Sequence, residues 1–64
     1  MIYIYGRVRD KIAFISATED VMDAHAIIDN EKLCWADEGM EIIKSMQPLD
    51  VNISYEELCE MVMK

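Results

Sequence analysis

His25 is the only histidine in this 64-residue chain, and it is the first place to look for chemistry. Asp29 follows it by one helical turn, and residues four apart on a helix sit side by side. A carboxylate orienting an imidazole is what a general base or a metal ligand needs. One such pair makes no site. A catalytic zinc takes about three protein ligands, and no serine or cysteine is set beside His25 by spacing. We read the pair as a surface histidine next to an acid.

Cys34 and Cys59 are the only cysteines. Neither belongs to a C-x-x-C pair, so neither a zinc knuckle nor a thioredoxin motif can be written. We expect two buried free thiols, packed as small hydrophobes. The 13 acidic residues are not arranged as the alternating ligands of a calcium loop. The two glycines, Gly6 and Gly39, cannot form a phosphate-binding loop. No nucleophile elbow is present. The expectation is a non-enzymatic protein with no catalytic residue, cofactor or metal.

Charge carries more information. The chain has a net charge of −7. Its first eleven residues hold three bases, Arg7, Arg9 and Lys11, against the single acid Asp10. The remainder holds twelve acids and three bases. Such a surface keeps a small protein in solution, and it also attracts a basic partner and speeds association with it. Asp20 and Asp23 are candidates for that contact. Tyr3, Tyr5, Arg7 and Arg9 alternate along one strand face, a pattern that suits base stacking or a protein interface. The overall negative charge opposes phosphate binding, so a protein partner is favoured and nucleic acid is the weaker reading. Trp35 is either a core anchor or an interface hot spot.

These residues need elements to hold them. Ile2 to Arg9 alternates as a β-strand, and Ile12 to Ser16 reads as its return. The expected hairpin covers about residues 2–9 and 12–16. Two registers suit it: a two-residue Asp10–Lys11 loop or a three-residue Arg9–Lys11 loop. The longer loop is preferred because it gathers Ile4, Val8, Ile12 and Phe14 on one face, and a buried face fixes register. Gly6 marks a bulge or a close backbone approach. Ser16 and Glu19 form a capping box for a helix over about residues 17–29. Asp37 would cap a second helix at about 37–46. The alternative makes Leu33–Ala36 and Met40–Lys44 two further strands. Pro48 ends any helix at Gln47, and Leu49, Val51 and Ile53 alternate as extended chain. Ser54 and Glu57 form a second capping box, opening a helix at about 55–63. Beyond the initiator Met1, the five methionines Met22, Met40, Met46, Met61 and Met63 are expected to fill the core, with an adaptable binding surface as the alternative.

The whole is an α+β single domain spanning 1–64, an antiparallel hairpin with two or three helices packed on it. No stretch reaches the roughly 18 apolar residues of a membrane span. The alternating start is unlike a signal peptide, so the expected setting is cytoplasmic, in a host cell if the source is viral. The expected function is a small acidic protein-binding module, a regulator or inhibitor of the kind viruses and mobile elements carry. A homodimeric structural module is the alternative, because a two-stranded sheet with two partly apolar faces needs cover. A nucleic-acid binder using the Tyr/Arg face is the second alternative.

Overall fold

The computed structural model describes residues 1–63. It is α+β, with β1 at Ile2–Val8, β2 at Lys11–Thr18, α1 at Val21–Trp35, β3 at Glu41–Ser45 and α2 at Tyr55–Val62. The three strands form one antiparallel sheet in the order β2-β1-β3.

The hairpin adopts neither expected register. Val8 pairs with Lys11, so the loop is the two residues Arg9 and Asp10. Arg9 takes a φ of +58°, as the tight primed turns require at their first central residue. Arg7 then faces Ile12, and Tyr5 faces Phe14. Ile12 and Phe14 therefore share a face with the tyrosines, opposite to the side expected for them. The buried side of β1 carries Ile2, Ile4, Gly6 and Val8, as the alternation implied. Ala13 faces Gly6 there. A bulge interrupts the ladder between Ile4 and Tyr5, leaving Ile15 unmatched, and Ile15 packs inward against Ile2, Ile4 and Ala24.

The expected first capping box goes unused. Ser16 stays in β2, facing Ile4, and the ladder continues until Thr18 faces Ile2. Helix α1 starts later, capped by Asp20, whose Oδ1 accepts from the Met22 N–H at 2.8 Å. It also runs beyond Asn30 to Trp35, so Leu33–Trp35 is helical and no strand. Of the residues expected as a helix at 37–46, Glu41–Ser45 instead form β3, close to the strand the alternative placed at Met40–Lys44, because they find ladder partners in β1. Gly39, at φ +79°, turns the chain between α1 and β3. The capping box at Ser54 forms as expected: its Oγ accepts from the Glu57 N–H at 3.2 Å.

Both helices pack on one side of the sheet. Ala24, with Ile27 and Ile28, covers Ile2 and Ile4. Leu58 and Met40 meet Ala13 in a second cluster, with Val8, Trp35, Ile53, Tyr55 and Val62 around it. Gly6 lies under both: a Cβ there would come within 2.9 Å of the Met40 sulfur and 3.2 Å of Leu58 Cδ2.

Residues 46–53 cross the other side as a strap. Tyr5 Oη accepts from the Leu49 N–H at 2.8 Å. Asn52 then docks on the outer edge of β2. Its Oδ1 accepts from the Ile12 N–H at 2.9 Å, its own N–H donates to the Ile12 carbonyl at 3.1 Å, and its Nδ2 donates to the Asp10 carbonyl at 3.0 Å. Asn52 thus caps an edge that would otherwise present unpaired backbone groups.

Candidate interaction surfaces

The strap side of the sheet holds most of the Tyr/Arg candidates and divides them. Tyr5 is only 2% exposed. Its ring stands edge-on to Phe14, with centroids 5.9 Å apart, and its hydroxyl holds the strap. Tyr5 is a structural anchor and offers no ring surface to a partner. Tyr3 is half-buried on the same face. Arg7 is exposed and pairs with Glu41 across the strands at 3.0 Å. Arg9 projects from the hairpin turn. The four residues therefore do not form a continuous stacking platform. Phe14, 45% exposed, leaves apolar surface on this side, and Leu49 and Val51 of the strap are exposed as well.

On the helix side, Asp20 and Asp23 are exposed at the start of α1. Asp20 already caps the helix, so Asp23 and Glu19 are the carboxylates beside it with no such duty. His25 and Asp29 are both exposed. Among the described residues, no hydrogen bond or ion pair joins them. A shallow hollow beside α1 is lined by Asp29, Lys32 and Leu33. Among the described residues, no three His, Cys, Asp or Glu side chains gather where they could hold a metal ion. No helix there is long and apolar enough to cross a membrane.

Trp35 is an anchor between the helices. Its Nε1–H donates to Tyr55 Oη at 3.2 Å, and the Tyr55 hydroxyl donates to Glu31 Oε1 at 2.6 Å. The chain of bonds ties the end of α1 to the start of α2. Burial raises the Tyr55 pKa, and the Glu31 carboxylate accepting its proton raises it further, while the Trp35 N–H opposes both. Burial also pushes the neighbouring Cys59 thiol up, with Glu31 adding to the effect and the Tyr55 hydroxyl opposing it. Spacing could not reveal this network, because its members lie on two elements whose packing is tertiary.

Two expectations about sulfur change. Both cysteines are free, but Cys34 is exposed and only Cys59 is partly buried. Met40 alone of the methionines is buried, whereas Met1, Met22, Met46, Met61 and Met63 are exposed. The core is filled by Ile4, Leu58, Ala13 and Ala24 instead, since a thin sheet covered by short helices has room for few long side chains. Scans of family models, of curated proteins and of solved structures return no match to this chain.

Proposed function

We propose that this protein is an acidic protein-interaction module that binds a basic surface on another protein. The observation that carries the reading is the sorting of its methionines: five of six lie outside the core. Methionine packs well in a core, and exposed methionines suit an adaptable contact surface. The charge agrees. Eight acids and a single lysine occur from Glu19 to Glu41, so a basic partner would be steered toward the α1 side. Binding of this kind suits a regulator or inhibitor.

Affinity capture from the source cells tests the proposal. The wild-type bait is compared with a Glu19→Lys/Asp23→Lys bait, Asp20 being kept because it caps α1. A single stoichiometric basic protein should be retained by the wild type, released as salt rises, and missed by the reversed bait. Equal retention by both baits would refute the acidic-surface reading.

A further inference from the structure

One end of the sheet collects apolar side chains from three separate parts of the chain. Ile2 pairs with Thr18 and Tyr3 with Ser45, so β1 begins where β2 and β3 finish. Met1 precedes β1, Met46 follows β3, and Val21 and Met22 open α1 just after β2. All four are more than half exposed, Met22 at 79%. Scattered apolar residues on a surface mean little, but a group of them rimmed by polar residues marks a contact site. Glu19, Asp20 and Asp23 form the rim. No lysine or arginine occurs from residue 12 to residue 31, so this rim has no basic side chain from its own segment to neutralise it.

We infer that this strand-end pole docks a basic amphipathic helix of a partner protein. The methionines and Val21 take the helix's apolar stripe, and the carboxylates take its flanking lysines and arginines. The inference rests on the proposed function and adds the place and the shape of the ligand. A helix with one apolar face offers both chemistries along one line, as this pole does. Unbranched thioethers can repack around differing side chains on that face. A second copy docked on the same pole would press acidic rim against acidic rim. An anionic membrane would be repelled by the same carboxylates.

The test uses the full chain labelled with ¹³C at the methionine methyls. A Leu/Lys peptide of roughly 18 residues, about five helical turns, is titrated at low salt. A Ser/Lys peptide of equal charge is the control. The Met1, Met22 and Met46 methyls should shift, while those of Met40, Met61 and Met63 stay in place. The Ser/Lys peptide should bind about tenfold more weakly. Met22→Gln with Met46→Gln should weaken the Leu/Lys peptide by about fivefold or more, the loss expected when central contacts are removed. Glu19→Gln with Asp23→Asn should weaken it as well. These positions are exposed, so both variants should stay folded, with melting temperatures no lower than the wild type's.

Binding that shifts other methyls, or none, would place the contact elsewhere and overturn this inference while leaving an acidic binding module intact. Equal affinity for the two peptides would reduce the pole to plain charge attraction and overturn apolar docking. Failure of both peptides to bind would sink this inference and the proposed function together. Shifts of the three methyls with protein concentration alone would make a second copy the occupant. Shifts with phosphatidylcholine vesicles in place of peptide would make it a lipid surface. Either result refutes the helix.

Discussion

Arg9 occupies a backbone region that L-residues enter at a cost. Its φ of +58° is the geometry glycine adopts freely, and the left-handed conformation costs other residues about 1–2 kcal/mol. Arg9→Gly should therefore stabilise the fold by about 0.5–1 kcal/mol once the extra freedom of the unfolded glycine is deducted. Chemical denaturation should show a higher midpoint at unchanged slope; a lower midpoint would mean that the Arg9 side chain stabilises the turn by contacts. Gly6 presents the opposite case. An added methyl would meet the Met40 sulfur at 2.9 Å, Leu58 Cδ2 at 3.2 Å and Ile15 Cδ1 at 3.3 Å. Met40 can swing aside, but the three neighbours cannot all retreat from a sheet that the helices cover closely. Gly6→Ala should cost about 1–3 kcal/mol, the usual range for overpacking. Tyr55 supplies a pH dependence. Its pKa is raised in the fold by burial and by Glu31, so above the usual tyrosine value of about 10 the folded state binds more protons than the unfolded one. Stability is then full below that pH and falls as pH rises beyond it. The raised Cys59 thiol acts with the same sign, starting from the lower ordinary pKa of a thiol. Denaturation between pH 7 and 11 should show an alkaline loss that Tyr55→Phe reduces and that Tyr55→Phe with Cys59→Ser reduces further. An unchanged alkaline limb in the double variant would exclude both groups as its source.

The elements show where local signals were enough and where they were not. The α2 cap at Ser54 and the alternation of β1 were legible because both are set by neighbours in sequence. Ser16 carried the same cap signal as Ser54, yet Ile2 recruited Thr18 into the ladder and the helix yielded its start to Asp20. Met40 to Ser45 had apolar spacing that suited a helix or a strand equally. Only the pairing of Ile42 with Gly6 and Ile43 with Tyr5 decides for the strand, and that contact spans more than thirty positions. The candidate surface was legible in charge and illegible in shape. Asp23 could be read as exposed, but the gathering of Met1, Met22 and Met46 depends on strand order. The strap was legible as extended chain, whereas its docking was not. Asn52 supplies most of that docking, with two side-chain bonds and one backbone bond to the β2 end of the hairpin. Asn52→Ala should cost about 1–2 kcal/mol for the two lost side-chain bonds. Hydrogen exchange should then quicken at Ile12 and at Leu49, whose amide is held by Tyr5, while amides in α1 away from the strap keep their relative protection. Equal loosening everywhere would mean that the strap is no separate unit.

At the scale of the whole molecule, charge is divided between two ends. The hairpin turn brings Arg7, Arg9 and Lys11 to one end of the sheet. The α1 start, with Glu19, Asp20 and Asp23, lies toward the other. The third strand and the strap provide cover for a hairpin that could not stand alone, and they do so within one chain. What the fold leaves unbalanced is electrostatic. Among the described residues one ion pair is formed, Arg7 with Glu41, and both partners are about half exposed, where such pairs contribute little. Against it stand a net charge of −7 and a run of carboxylates along α1 and its flanks. Self-repulsion of like charges destabilises a compact state. Raising ionic strength from 0.01 M to 0.15 M shortens the screening length from about 30 Å to about 8 Å, less than the 33 Å long axis of the molecule. Repulsion spread over the surface should fade over that range, while contacts within a few ångströms persist. The melting temperature followed by circular dichroism should therefore rise with sodium chloride, and by a similar amount with potassium chloride if screening is the cause. Glu19→Gln with Asp23→Asn should raise the melting temperature at low salt and reduce its salt dependence. A melting temperature that falls on adding salt would show that attraction between the basic hairpin end and the acidic α1 end outweighs the repulsion. The same variant separates stability from recognition: a carboxylate pair kept for binding a basic partner should be one whose removal helps the isolated fold while weakening the complex.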